Sequence, residues 1–209
     1  MTLLPDRIDA CLPQTQCTRC GYPRCRDYAD AIAAGIADIN RCPPGSAPTL
    51  EALAALTDRP PRPLDPACGV HEPRTRAVID EPVCIGCRKC LDVCPVDAIV
   101  GARKLMHTVI ATECNGCGLC RPPCPVDCIA FVPVTVAADP DSLWPEYALA
   151  ETERWRGRTA AHLARLAQRA APAGRPTGAT APADAERERI RAEIAAAVAR
   201  VRARRTPSS

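Results

Sequence analysis

Apolar residues recur at helical spacing through the first third of the chain. In residues 3–12, Ile8 and Leu12 fall on one face, and Pro5 suits the first turn, predicting a short helix. From Arg24 to Ile39, Tyr28, Ala31, Ile32, Gly35, Ile36 and Ile39 share a side, predicting a second helix that carries the chain back to Cys42. Thr49–Leu56 predicts a third, with Thr49 as its cap. Pro60, Pro61, Pro63 and Pro66 then read as an extended tether on which the first part could swing.

Beyond it the period shortens. Val78-Ile79, Ala98-Ile99-Val100, Val109-Ile110 and Cys128-Ile129-Ala130 predict four short strands in two matching halves. Each half should carry a short helical turn starting near its last cysteine. Residues 141–171 predict an amphipathic helix with Pro145 in its first turn and Trp144, Ala148, Trp155, Leu163 and Leu166 on one face. A flexible linker at 172–182 leads to a charged helix over 183–205. There Ile190, Ile194, Val198 and Val201 make a narrow stripe, and Arg200, Arg202, Arg204 and Arg205 fill the last turns. The expected fold class is α+β. Its parts are a helical unit at 1–46, a helix and Pro-rich linker at 47–77, a βαβ-type repeat at 78–135 and a basic helical tail at 136–209.

Composition changes this picture. Fifteen of 209 residues are cysteine and only 3% are aromatic, too little for a large conventional core. Small domains of this kind borrow stability from disulfides or metal. The first residues show no charged start followed by an apolar run, and an odd cysteine count fits disulfides poorly. A reducing cytosol that leaves thiols free for metal is the better match. No apolar stretch is long enough to cross a bilayer. Residues 1–140 carry 14 basic and 16 acidic side chains, against 13 and 8 beyond. The surplus of basic groups therefore lies in the tail. That tail could meet acidic lipid or an acidic partner. Nucleic acid is the weaker reading, because no aromatic platform accompanies the arginines.

The chemistry sits in the cysteines. Cys84, Cys87, Cys90 and Cys94 repeat thirty residues later as Cys114, Cys117, Cys120 and Cys124, each set reading C-x-x-C-x-x-C-x-x-x-C-P. This is the spacing of a bacterial two-cluster ferredoxin, in which the fourth cysteine reaches the other cluster. One [4Fe–4S] cluster is thus assigned to Cys84, Cys87, Cys90 and Cys124, the other to Cys94, Cys114, Cys117 and Cys120. Gly86, Gly116 and Gly118 let backbone N–H groups approach the sulfurs. Zinc is disfavoured here, since structural zinc takes separated pairs of ligands. Cys17, Cys20, Cys25 and Cys42 form a second constellation, C-x2-C-x4-C-x16-C, for which spacing leaves both a cluster and a zinc open. Cys11, Cys68, His71 and His107 read as packing or surface residues. Cys128, at the place of Ala98, reads as a small buried one. No Gly-rich dinucleotide loop and no Ser/His/Asp or Cys/His constellation is present, so a substrate site of its own is not expected.

The stretch Leu12–Gly45, LPQTQCTRCGYPRCRDYADAIAAGIADINRCPPG, resembles the small iron–sulfur domain of the B subunit of the Rnf (Rsx) electron-transport complex. The resemblance continues through Val78–Ile129, including VDAIVGARKLMHTVIA and CRPPCPVDCI, and includes all twelve expected ligand positions. It implies a third [4Fe–4S] cluster on Cys17, Cys20, Cys25 and Cys42. It also implies one-electron relay on the cytoplasmic face of an inner-membrane, ion-translocating oxidoreductase, with the other complex subunits as redox partners. The family typically begins with a hydrophobic anchor. This sequence starts close to the first cysteine domain, so a form with at most peripheral membrane contact is expected. A free cytosolic polyferredoxin is the alternative, and a nucleic-acid-binding protein with structural clusters a third reading.

Overall fold

The computed structural model describes residues 3–170 and, beyond them, residues 186, 188–189, 191–193 and 195–196. The chain divides into two units, Met1–Gln168 and Arg169–Ser209. In the second unit the described residues are helical, and Arg189 pairs with Glu193 at 3.9 Å. The linker at 172–182, the stripe Ile190, Ile194, Val198 and Val201, and the arginines at 200, 202, 204 and 205 lie outside the described residues.

The first unit combines helices with two small antiparallel sheets. Helices α1 (Leu4–Ala10), α2 (Cys25–Ala33) and α3 (Ser46–Thr57) surround one core of Ile8, Leu12, Tyr28, Ile32 and Leu53. Helix α2 is shorter than its apolar spacing predicts. Gly35, read as part of the buried face, instead takes φ +73° and ends the helix. The N–H of Ile36 bonds to Ala31 O and that of Gly35 to Ile32 O, a Schellman cap. Ile36 is consequently 79% exposed rather than buried. Thr49 is likewise no cap, because α3 already starts at Ser46. Its buried hydroxyl donates to Cys11 O at 2.9 Å and accepts from Trp144 Nε1 at 2.8 Å, joining three distant segments.

Strands β1 (Thr75–Ile79) and β4 (Ile129–Pro133) pair in register Thr75↔Pro133 to Ile79↔Ile129. Strands β2 (Ile99–Gly101) and β3 (His107–Val109) pair from Ile99↔Val109 to Gly101↔His107. The outer strands of the two halves thus close on each other, as do the inner ones. The helical turn is found in one half only. Helix α4 (Lys89–Asp92) carries Cys90 and ends before Cys94, earlier than expected. In the second half Pro122 stands at the place of Asp92, the last residue of α4, and Pro123 at that of its C-cap Val93, where the missing N–H and fixed φ oppose a helix.

The last helix, α5 (Leu149–Ala170), begins after Trp144 and Pro145, later than expected. Thr152, Trp155 and Thr159 form its buried face, whereas Leu166 is exposed. It braces the repeat through Arg158, whose Nε donates to Val96 O at 2.6 Å, and through His162, 2.8 Å from Asp97.

The tether does not swing free. Asn40 donates to Pro63 O at 2.7 Å, Asp65 N–H donates to Asn40 O at 2.9 Å, and Arg59 reaches the carbonyls of Ala37 and Ile32. The four-cysteine region also touches the later chain directly. Asn115 Nδ2 donates to Thr15 O at 2.8 Å, and Arg156 pairs with Asp9 at 2.7 Å. The proline segment serves as a docked strap, because the Pro63 carbonyl, the Asp65 N–H and the Arg59 side chain find partners on the first core.

Candidate metal centres

The loop 12–24 is irregular and held from inside. Gln14, Gln16 and Thr18 all take left-handed φ. Gln14 Nε2 donates to Asp9 O at 2.8 Å, and Gln16 Nε2 donates to Gln14 Oε1 at 2.9 Å. Gln16 Oε1 in turn accepts the N–H of Cys25 at 2.9 Å, so this buried amide chain fixes the start of α2 relative to the loop. Tyr28 completes the frame. Its hydroxyl donates to Asp38 O at 2.8 Å and accepts from Arg41 N at 3.0 Å, holding the segment that delivers Cys42. Cys17, Cys20, Cys25 and Cys42 line one small void, with Leu12, Tyr28 and two prolines on its walls.

Two further voids lie in the repeat. One is lined by Cys94, Cys114, Cys117 and Cys120. The other is lined by Cys84, Cys87, Cys90 and Cys124. Each void therefore takes three cysteines from one half and the last cysteine from the other. Among the described residues, no three His, Cys, Asp or Glu side chains close on a point as they would around a single ion. The twelve cysteines instead line three small voids, four to each.

Backbone N–H groups are aimed at these sulfurs. Ala98 N lies 3.2 Å from Cys94 Sγ, His107 N 3.4 Å from Cys84 Sγ, and Ala77 N 3.5 Å from Cys114 Sγ. Such donors favour thiolate over thiol. Gly86 and Gly116 hold equivalent places at φ +67° and +72°, and a Cβ at either would strike a backbone carbonyl, Leu105 O or Thr75 O. Burial works against ionisation in the metal-free protein. It pushes Cys90 up to about 11 and Cys120 to about 12, and raises Cys25, Cys42 and Cys117 as well. Loading with metal must therefore release protons.

Two residues read as packing prove to touch the site. His107 is buried with Nδ1 3.3 Å from Cys90 Sγ. Cys128 lines the same void as Cys84, Cys87, Cys90 and Cys124, with Sγ 3.5 Å from Cys124 Sγ. Their signal in the sequence was the departure from the repeat, where alanine stands at both equivalent positions, Ala77 and Ala98. The two remaining cysteines line none of the three voids. Cys11 donates to Arg7 O at 3.4 Å, and buried Cys68 lies 3.9 Å from Asp65. His71 is engaged with Pro43 O and Glu146.

A family model described as "4Fe-4S dicluster domain" matches residues 77–131, and a model named "FeS" matches residues 12–44. Iron–sulfur clusters are thus the cofactor class, and all-thiolate donor sets with N–H donors around a void fit that group. Proteins named as the B subunit of the ion-translocating oxidoreductase complex are similar to this chain in several bacteria. The one from Alkalilimnicola ehrlichii is 61% identical over 133 residues, covering 63% of this chain and 71% of that protein. The one from Cronobacter sakazakii is 55% identical over 135 residues, covering 64% and 70%. The one from Thiobacillus denitrificans is 59% identical over 110 residues, covering 53% of this chain, which thereby spans only 58% of that relative's length. No solved structure matches the chain. Among the described residues, no helix is long and apolar enough to cross a membrane. The chain belongs to the family of B subunits of the ion-translocating oxidoreductase complex.

Proposed function

We propose that this chain is an electron-relay subunit. It would pass single electrons through three [4Fe–4S] clusters as the B subunit of an Rnf/Rsx-type membrane complex. The ligand sets are Cys17, Cys20, Cys25 and Cys42; Cys84, Cys87, Cys90 and Cys124; and Cys94, Cys114, Cys117 and Cys120. The observation that carries this reading is the set of three voids, each bordered by four of these cysteines. When bound, such clusters accept and release one electron without binding substrate.

The protein's own part is to supply thiolates, direct N–H groups at them and keep the centres close together. The docked loops suggest an order. Cys17 and Cys117 border one cleft together with Thr15 and Asn115, so the first centre would face the one held by Cys94, Cys114, Cys117 and Cys120. The centre with Cys87, an exposed cysteine, would then lie at the far end. The division at 1–46, 47–77, 78–135 and 136–209, with a ferredoxin-like repeat as third part, goes with this reading. So does a place on the cytoplasmic face beside the other subunits.

Fractionation tests the assignment to a complex. In a host that makes the whole complex, a tagged chain is expected to co-purify with integral inner-membrane subunits in mild detergent. Recovery wholly in the soluble fraction, free of such proteins, would instead identify a free polyferredoxin.

A further inference from the structure

The thirty-residue repeat makes the two voids of residues 78–135 near-copies. The positions where the copies differ are therefore informative. Cysteines and aliphatic residues correspond, Gly118 and Phe131 border one void only, and of the positions that line both, three differ in chemistry. His107 and Cys128 line the void of Cys84, Cys87, Cys90 and Cys124, where the other void has Ala77 and Ala98. Ile85 stands where the other void has Asn115.

His107 is 1% exposed, and its Nδ1 lies 3.3 Å from Cys90 Sγ. A cysteine bound to iron is a thiolate and can only accept, so Nδ1 must be the donor in that pair. The same logic makes Cys128 the donor to Cys124 at 3.5 Å. Ala77 and Ala98 offer only methyl groups in their places. One pair of backbone donors is matched, His107 N to Cys84 Sγ at 3.4 Å and Ala77 N to Cys114 Sγ at 3.5 Å, while Ala98 N to Cys94 Sγ at 3.2 Å serves the other void. Asn115 adds no donor to the opposite sulfurs. Its Nδ2 donates to the carbonyls of Thr15 and Gln14, and its Oδ1 accepts the N–H of Cys117. Exposure runs in the same direction. Ile85 is 57% exposed and Cys87 is exposed, whereas Asn115 is 2% exposed beneath the Gln14–Thr15 segment.

An added electron makes an all-thiolate centre more negative. Hydrogen bonds to its sulfurs and access to water both favour that reduced state and raise its potential. We propose that the two centres of the repeat are unequal. The one held by Cys84, Cys87, Cys90 and Cys124 has the higher potential, and His107 and Cys128 are the positioning residues that raise it. An electron on the pair rests on that side, where Cys87 meets solvent. This proposal rests on the reading that both voids hold [4Fe–4S] clusters.

The test is an anaerobic redox titration of the full chain followed by EPR, after iron and sulfide have been counted. Absence of clusters from the repeat would overturn the reading and the proposal together. With clusters present, Cys87→Ser should remove or alter the signal of one centre and Cys117→Ser that of the other, which marks each signal in protein that keeps both cysteines. The Cys87-marked signal is expected to develop first, with electrons partitioned at least about tenfold in its favour, or about 59 mV for a one-electron couple. His107→Ala should shift that signal to lower potential, Cys128→Ala should shift it the same way, and His107→Gln, which keeps an N–H donor, should restore most of the loss. The Cys117-marked signal should hold its potential in all three. Clusters present with the Cys117-marked signal reduced first or at the same potential would overturn the proposal alone. So would a Cys87-marked signal unmoved by both His107→Ala and Cys128→Ala.

Discussion

Cys94→Ser is expected to damage the centre of the opposite half, leaving its own half's three cysteines loaded. Cys94 Sγ borders the void of Cys114, Cys117 and Cys120, and it accepts the N–H of Ala98 there at 3.2 Å. Removing that thiolate should lower iron content by up to about four atoms per chain if the damaged cluster is lost. The EPR signal of the cluster held by Cys84, Cys87 and Cys90 should persist. Loss of that signal instead would contradict the crossed ligand map. The mirror experiment needs two changes. Cys128 lies 3.5 Å from Cys124 and borders the same void, so it can stand in for a missing thiolate. Cys124→Ser should therefore be mild alone and severe when combined with Cys128→Ala.

The second large effect is structural. Trp155→Ala should destabilise the first unit by about 3–5 kcal/mol, the usual cost of truncating a fully buried aromatic. Trp155 packs edge-on to Tyr147 with ring centroids 6.1 Å apart. The buried Arg74 guanidinium lies 4.9 Å from the Trp155 ring centroid and makes two hydrogen bonds to Glu151, at 2.6 and 2.9 Å. Denaturant titration of anaerobic protein, followed by visible absorbance and helical signal, measures the loss. A change below about 1 kcal/mol would mean that α5 is a passive appendage. The same cluster has a pH signature. Burial alone would raise the Glu151 carboxyl, but Arg74 outweighs it and holds it below the ordinary range. That stabilisation is present above the ordinary carboxylate pKa and fades as pH falls through the lowered value. Arg74→Ala should flatten this acid limb.

Much of the site was legible because metal ligation constrains spacing tightly. The doubled C-x-x-C-x-x-C-x-x-x-C-P implied both the strands around it and a fourth ligand from the other half. Its cysteines do border voids in that crossed pattern. The misses share a cause, which is that tertiary contacts decide what local pattern cannot. Gly35 fits an apolar helical face, yet its freedom at φ +73° is used to end α2. Thr49 fits a cap, but it is consumed by Cys11 and Trp144 from 38 and 95 positions away. Four prolines suggest a free tether, and only the carbonyl partners on the first core reveal a strap. Gln14 and Gln16 look like solvated loop residues until their buried amide chain is seen. His107 and Cys128 could have been flagged from sequence by asking why one half departs from the other.

The most direct measurement is the metal content of the anaerobically purified chain, counted as iron, acid-labile sulfide and zinc, with EPR after reduction. The account predicts about twelve irons and about twelve sulfides per chain, no stoichiometric zinc, and signals from more than one reduced cubane. About eight irons with one zinc would remove the cluster from Cys17, Cys20, Cys25 and Cys42. A folded, colourless protein without iron would contradict the account altogether.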